Sequence, residues 1–206
     1  MKKSKAETEQ TRKRIVRVAA QQLRRNGIHQ TGVVKIMAAA GLTQGGFYRH
    51  FNSKDHLVAE ACAASMQSLV ESAKAAIKSG DDAFLKHVED FLSVKHCNDW
   101  LDGCPLVFIG SELARADKKT RRAVSQGYRD LIDVIANEDR YKNAPSAKSE
   151  AIFMLSAMIG AVTLARIVDD PKLSALILNE TKNHLANLHT KSASKMRRAS
   201  DSFASE

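Results

Sequence analysis

Proline is scarce in this 206-residue chain: there are three, beside 10 glycines, three cysteines and an aromatic share of 5%. So few prolines, with no sustained alternation of apolar and polar residues, argue against strands and predict an all-α fold. Three cysteines are an odd number, at spacings that match no zinc template, so neither a disulfide framework nor a metal site is expected. Free thiols suit a reducing cytosol, and the expected location is cytoplasmic. No cofactor loop and no Cys/His/acid constellation stands out, so the chain does not read as an enzyme. His96 beside Cys97 is the thin argument for a thiol-dependent one. A secretory leader is missing too, because Met1-Lys2-Lys3 is followed by polar residues rather than an apolar run. The longest apolar stretch, Ala151 to Val168, is interrupted by Ser156, Gly160, Thr163 and Arg166. It reads as a helix buried on most sides rather than a membrane span.

Charge is what the chain has in excess, and it is unevenly placed. Of the net +9, the first 60 residues carry +8, with 12 Lys and Arg against Glu7, Glu9, Asp55 and Glu60. The remaining 20 basic and 19 acidic residues nearly cancel. One end is therefore a candidate polyanion-binding module, joined to a body with another task. With 44% hydrophobic residues the chain can bury a real core.

Helical spacing organises the rest. Ile15, Ala19 and Leu23, reinforced by Val16 and Ala20, mark a first helix over 8–25, stopped by Asn26-Gly27. A short helix over 33–40 buries Ile36, Met37 and Ala40. Gly41-Leu42-Thr43 then turns, and Thr43 caps a second short helix over 44–50. Ser53 caps a long helix over 54–78 bearing Leu57, Ala61, Leu69, Ala73 and Ile77. Beyond Gly80, helices are expected around Phe84 to Leu92, over 106–114, from Asp117 to Ile135, over 147–168 and over 171–189. Asp170-Pro171 opens the last as cap and first-turn proline. A loop is expected over 137–146 and a disordered tail over 191–206. The predicted division is a head at 8–53, a connecting helix at 54–80 and a body at 81–190.

The pair of short helices around Gly41 has the shape of a helix-turn-helix: a supporting helix, a tight glycine turn and a second helix able to enter the major groove. That second helix presents Gln44, Gly45, Gly46, Tyr48, Arg49 and His50 outward, with Phe47 and Phe51 inward. Gly45 and Gly46 each cost roughly 1 kcal/mol of helix propensity. In exchange they let the backbone approach bases or phosphates without a Cβ in the way.

The run Gly41-Leu42-Thr43-Gln44-Gly45-Gly46-Phe47-Tyr48-Arg49-His50-Phe51, with Ser53-Lys54 and Leu57 after it and Thr31 and Ile36 before it, resembles the signature of the TetR/AcrR family of bacterial regulators. The likeness covers about 50 residues, Thr11 to Glu60. Gly103-Cys104-Pro105 through Glu112-Leu113-Ala114-Arg115 is similar to the start of the ligand domain in one branch of that family. The resemblance implies nine or ten helices, a three-helix DNA-binding head, a ligand-binding body, and a homodimer formed by the helices at 147–168 and 171–189. It also implies a repressor released from a palindromic operator by an unidentified small-molecule inducer. Carried over, Gln44, Gly45, Gly46, Tyr48, Arg49 and His50 face DNA, with Lys54, Thr31 and Lys35 beside them. Gln44 suits adenine and Arg49 suits guanine or a phosphate, while Tyr48, His50 and Lys54 suit phosphates. Tyr48 could instead pack under its helix, and Lys54 could be a plain surface charge. Two departures stand out: Gly46 occupies a place where a hydroxyl often donates to phosphate, and Val33-Val34 one where polar residues often touch DNA.

For the body, Trp100, Phe108, Tyr128, Phe153, Met154 and Met158 are candidate ligand contacts or plain core, and Arg166, Glu112 and His87 candidate polar anchors. Cys104 stands at a helix start, where backbone N–H groups stabilise a thiolate, with Cys97 as a resolving partner. It reads either as an electrophile or oxidant sensor or as an inert buried thiol; Cys62 reads as core. Ser156 with Gly160, and Ala157 with Ala161, let two helices approach closely, and Leu173, Ile177 and Leu188 complete the expected interface. The mechanism so read places two recognition helices about 34–36 Å apart in successive major grooves until a ligand spoils that spacing. Non-specific DNA packaging is the competing use of a basic head.

Overall fold

The computed structural model describes residues 4–99, 101, 103–137 and 146–203, from 189 onward as backbone alone. All its regular elements are helical. In chain order they are α1 (Lys5–Asn26), α2 (Val33–Ala39), a 3₁₀ helix (Gln44–Arg49), α3 (Lys54–Lys78), α4 (Asp81–Phe91) and α5 (Val94–Asn98). There follow α6 (Pro105–Phe108), α7 (Gly110–Leu113), α8 (Lys118–Ala136), α9 (Ala147–Ile167) and α10 (Pro171–Phe203). The all-α expectation holds. The described count is eleven rather than nine or ten, because short helices stand apart. Ile109, at φ −132°, interrupts what reads in sequence as one helix over 106–114.

The chain forms two compact units that do not follow its order. One comprises Met1–Leu69 with Asp99–Tyr128, and the other Val70–Asn98 with Arg129–Glu206. Residues 99–128, which the sequence division assigns to the ligand-binding part, are thus grouped with the N-terminal head.

In the first unit, α1 begins three residues earlier than expected. Ser4 and Glu7 form a capping box: the Ser4 hydroxyl accepts the Glu7 N–H at 3.1 Å and the Glu7 carboxylate accepts the Ser4 N–H at 2.7 Å. Its buried face, Ile15, Ala19 and Leu23, meets Ile36 and Met37 of α2, Phe47 and Phe51, and Leu57 of α3. Ile109 and Leu113 join the same core from the far end of the unit. Each of the larger side chains among these contributes roughly 1.5–3 kcal/mol by leaving water. α1 ends where expected, at Gly27, whose φ of +81° is open to glycine at little cost.

In the second unit, α4 buries Phe84 and Val88, and α9 packs along α10. Asp170 caps α10 ahead of Pro171 as predicted, its carboxylate accepting the Lys172 N–H at 2.8 Å. α10 continues to Phe203, where the tail from Lys191 was expected to be disordered. After Pro171 this stretch holds no glycine or proline, and its Ala, Lys, Arg and Met residues favour helix. Residues 138–145 of the expected loop lie outside the described residues. Among those described, α9 is the one helix long and apolar enough to cross a membrane. Eight of its side chains are nevertheless buried within the fold, including Met154, Met158 and Val162.

Candidate nucleic-acid interface

α2 and the 3₁₀ helix are joined by Gly41 at φ +68°, and Leu42 folds back so that its N–H meets the Met37 carbonyl at 2.9 Å. The second element is a 3₁₀ helix of six residues rather than the α-helix expected over 44–50. Two glycines at its start and so short a length favour the tighter turn. Thr43 stands at its N-cap, but its hydroxyl accepts no N–H of the first turn, so the expected capping bond is not made. Exposed at the edge of the helix, that hydroxyl is a polar group that pattern reading assigned elsewhere.

Four of the six residues expected to face outward are exposed. Gln44, Gly45 and Arg49 are exposed, and Gly46 and His50 half-buried. Tyr48 is 73% exposed, with its ring edge-on to Phe47 at 5.2 Å between centroids, so it points away from the core. On α2, Lys35 is exposed, and so is Val34 at 57%. Neither glycine is required by the backbone: a Cβ on Gly45 would meet nothing within 4 Å, and on Gly46 only the Met37 methyl at 3.6 Å.

Two residues of the expected set behave otherwise. Thr31 is fully buried, and its hydroxyl donates to the carbonyls of Gly27 at 2.6 Å and Gln22 at 3.2 Å. It holds the turn before α2 and presents nothing to DNA. Lys54 is half-buried, and its ammonium donates to the Ile28 carbonyl at 2.6 Å. A lysine that pattern reading takes for a phosphate clamp or a plain surface charge thus ties α3 to the same turn.

Beneath the 3₁₀ helix a charged network fixes the scaffold. Arg12 of α1 forks onto Glu60 of α3, one arm at 2.6 Å, and its guanidinium lies 4.6 Å from the centroid of the Phe51 ring. His56 Nε2 is 2.7 Å from the same carboxylate. Hydrogen bonding by Arg12 holds the Glu60 carboxyl below its usual range and raises the guanidinium in turn.

Candidate sensor residues fare less well. Cys104 is the N-cap of α6, and the N–H groups of Leu106 and Val107 do favour its thiolate. Burial outweighs them and pushes the thiol up to about 11. Cys62 rises to about 12 and Cys97 also rises, both chiefly through burial. All three thiols are free and buried. The helix-start N–H groups and the Arg24 charge both favour the Cys104 thiolate, but burial wins. Among the ligand candidates, Phe108 packs against the core of the first unit, to which Tyr128 also belongs. Met154 and Met158 are buried in the second unit. Phe153, expected inside, is 58% exposed on α9, and Trp100 lies outside the described residues. Glu112, offered as a ligand anchor, instead accepts main-chain N–H groups of the α1–α2 turn. Arg166 donates to the Cys97 carbonyl at 2.5 Å. Among the described residues no cluster of three or more His, Cys, Asp or Glu side chains is placed to hold a metal ion.

A family model for bacterial regulatory proteins of the tetR family matches residues 15–61, the stretch that holds this surface. A second, for the C-terminal domain of LmrA/YxaF-like transcriptional regulators, matches residues 81–173, so the two together span more than half the chain. The chain belongs to the TetR family. Solved structures of TetR-family proteins share the fold. The reduced form of NemR from Escherichia coli is 19% identical with a TM-score of 0.75, over 86% of this chain and 96% of that one. A TetR regulator from Chloroflexus aurantiacus is 26% identical with a TM-score of 0.73, over 90% and 96%. The fatty acid degradation regulator FadR from Bacillus halodurans is 17% identical with a TM-score of 0.59, over 90% and 96%. No curated protein matches the chain. As a TetR-family member it is a DNA-binding transcriptional regulator, built from a helix-turn-helix and a helical C-terminal region.

Proposed function

We propose that the protein is a cytoplasmic homodimeric repressor that reads a palindromic operator and leaves it when a small molecule binds the C-terminal region. The observation that carries the reading is the exposed face of Gln44, Gly45, Tyr48 and Arg49, set on a head that holds nearly all of the net charge. Gln44 and Arg49 are the base readers in this account; Tyr48, His50, Lys35 and the Thr43 hydroxyl hold phosphates. Apolar side chains left open on α9 and α10 support the dimer: Phe153, Leu164 and Ile167 on one, Leu173, Leu176 and Leu188 on the other. Patches of this kind on a soluble chain mark interfaces. A bound molecule suits the body better than thiol chemistry, since burial raises all three thiols and keeps the reactive thiolate scarce. The same scarcity disfavours a thiol-dependent enzyme.

Selection of bound duplexes from random DNA, using the full chain, tests the reading. One near-palindromic sequence should be enriched, and Arg49→Ala should weaken binding to it by about 1–3 kcal/mol. Equal retention of all sequences, with affinity set by salt alone, would instead indicate a packaging protein.

A further inference from the structure

The turn that launches α2 is held from outside the helix-turn-helix. Glu112, on α7, accepts the main-chain N–H of Ile28 at 2.8 Å and of His29 at 3.0 Å. Because Lys54 takes the Ile28 carbonyl at 2.6 Å, that residue is gripped at both its donor and its acceptor. Gly27 is shaped to admit the carboxylate: its φ is +81°, and a Cβ there would stand 2.4 Å from Glu112 Oε1. The carboxylate is itself anchored, since neighbouring Leu113 and Ile109 are buried in the core with Ile36, Phe47 and Phe51. The exposed His29 ring, 4.0 Å away at Nε2, adds little beside these charge-assisted bonds.

We propose that Glu112 is a positioning residue for DNA recognition: it fixes the α1–α2 turn and, through α2, the seat of the 3₁₀ helix against DNA. Only three residues separate His29 from the first residue of α2, and the Thr31 side chain among them is buried and bonded back to Gly27. A shift of the turn is therefore passed directly to α2, against which the 3₁₀ helix packs. Contacts to base edges tolerate errors of only about half an ångström. Glu112 lies within the stretch matched by the C-terminal family model, yet its bonds go to the turn of the head. The proposal rests on the DNA-binding reading above.

The test compares the full-length wild type with Glu112→Ala and Glu112→Gln, using the duplex that the wild type selects from random DNA. Amide hydrogen exchange at Ile28 and His29, read without DNA, accompanies it. Glu112→Ala should expose these two amides while leaving those of Ile36 and Phe47 protected. It should weaken the selected duplex tenfold or more and a scrambled duplex less than twofold. Glu112→Gln keeps one carbonyl acceptor and should lose only about threefold. Exposed amides with unchanged affinity for the selected duplex would reduce Glu112 to a merely structural role and overturn the proposal, as would amides that stay protected in Glu112→Ala. Should Glu112→Ala not fold, Glu112→Gln decides alone, and unchanged affinity refutes the idea. A wild type that selects no sequence removes the DNA-binding reading and this proposal together, while exposed amides in Glu112→Ala would still show that the latch exists.

Discussion

The first unit is fastened by polar bonds between residues far apart in the chain, whereas the second leaves large apolar side chains in the open. In the first, Arg12 reaches Glu60, Arg24 reaches Ser65 and the Leu101 carbonyl, and Glu112 reaches Ile28. Its apolar residues are mostly inside, and the surface around the 3₁₀ helix is polar apart from Val34. In the second, the polar bonds include Arg166 to the Cys97 carbonyl at 2.5 Å, Ser174 to the Ala165 carbonyl at 2.8 Å and Lys148 to Asp133 at 2.8 Å. Ile167 is 71% exposed there. Finished polar fastening with a clean surface suits a head that must hold a fixed shape against a charged polymer. An uncovered apolar stripe suits an element completed by another surface.

That contrast breaks first if the stripe is not an interface. Phe153→Asp should convert a dimer to monomers in sedimentation, with helix content retained. Each copy should lose about 2 kcal/mol or more, and a two-fold interface carries the change twice. An unchanged dimer would place the interface elsewhere.

The fastening of the head predicts a smaller effect. Glu60 titrates below its usual value near 4.5 in the folded protein, because Arg12 bonds to its charged form. Its contribution is therefore present above that pH and lost as pH falls through the folded value. Glu60→Gln should cost about 1 kcal/mol at neutral pH in urea unfolding, since the pair is only partly shielded from solvent. The gap to wild type should close in acid, and a gap that persists there would mean packing, not charge, is responsible.

The smallest effect has opposite signs in two measurements. Gly45→Ala should stabilise the head by about 0.5–1 kcal/mol, because no neighbour resists a methyl and the backbone does not need glycine. The same change should weaken the selected duplex several-fold. Tighter or unchanged binding would show that no DNA lies against that backbone.

Local patterns account for what the sequence revealed. The core stripe of α1, the stop at Gly27, the glycine turn at Gly41 and the Asp170-Pro171 start are set by neighbours within four residues, and each appears where expected. The Ser4–Glu7 capping box is equally local. What escaped was long-range. The buried Thr31 hydroxyl bonds as far back as Gln22, and the burial of Cys104 depends on the fold rather than on its helix position. Glu112 bonds to main-chain N–H groups, which every residue except proline offers, so its partners leave no mark in the residue pattern. The outward set at 44–50 was legible because turn chemistry and inward aromatics fix which side faces out.

The bond from Glu112 to the α1–α2 turn bears on how such regulators can be recombined. A chimera joined near residue 80 would pair a head from one protein with residues 99–128 from another. Unless the incoming segment supplies an acceptor at position 112, and the head a glycine at 27 to admit it, the junction separates two halves of one working part. The natural module for transplanting this head is therefore discontinuous: the first 69 residues together with 99–128.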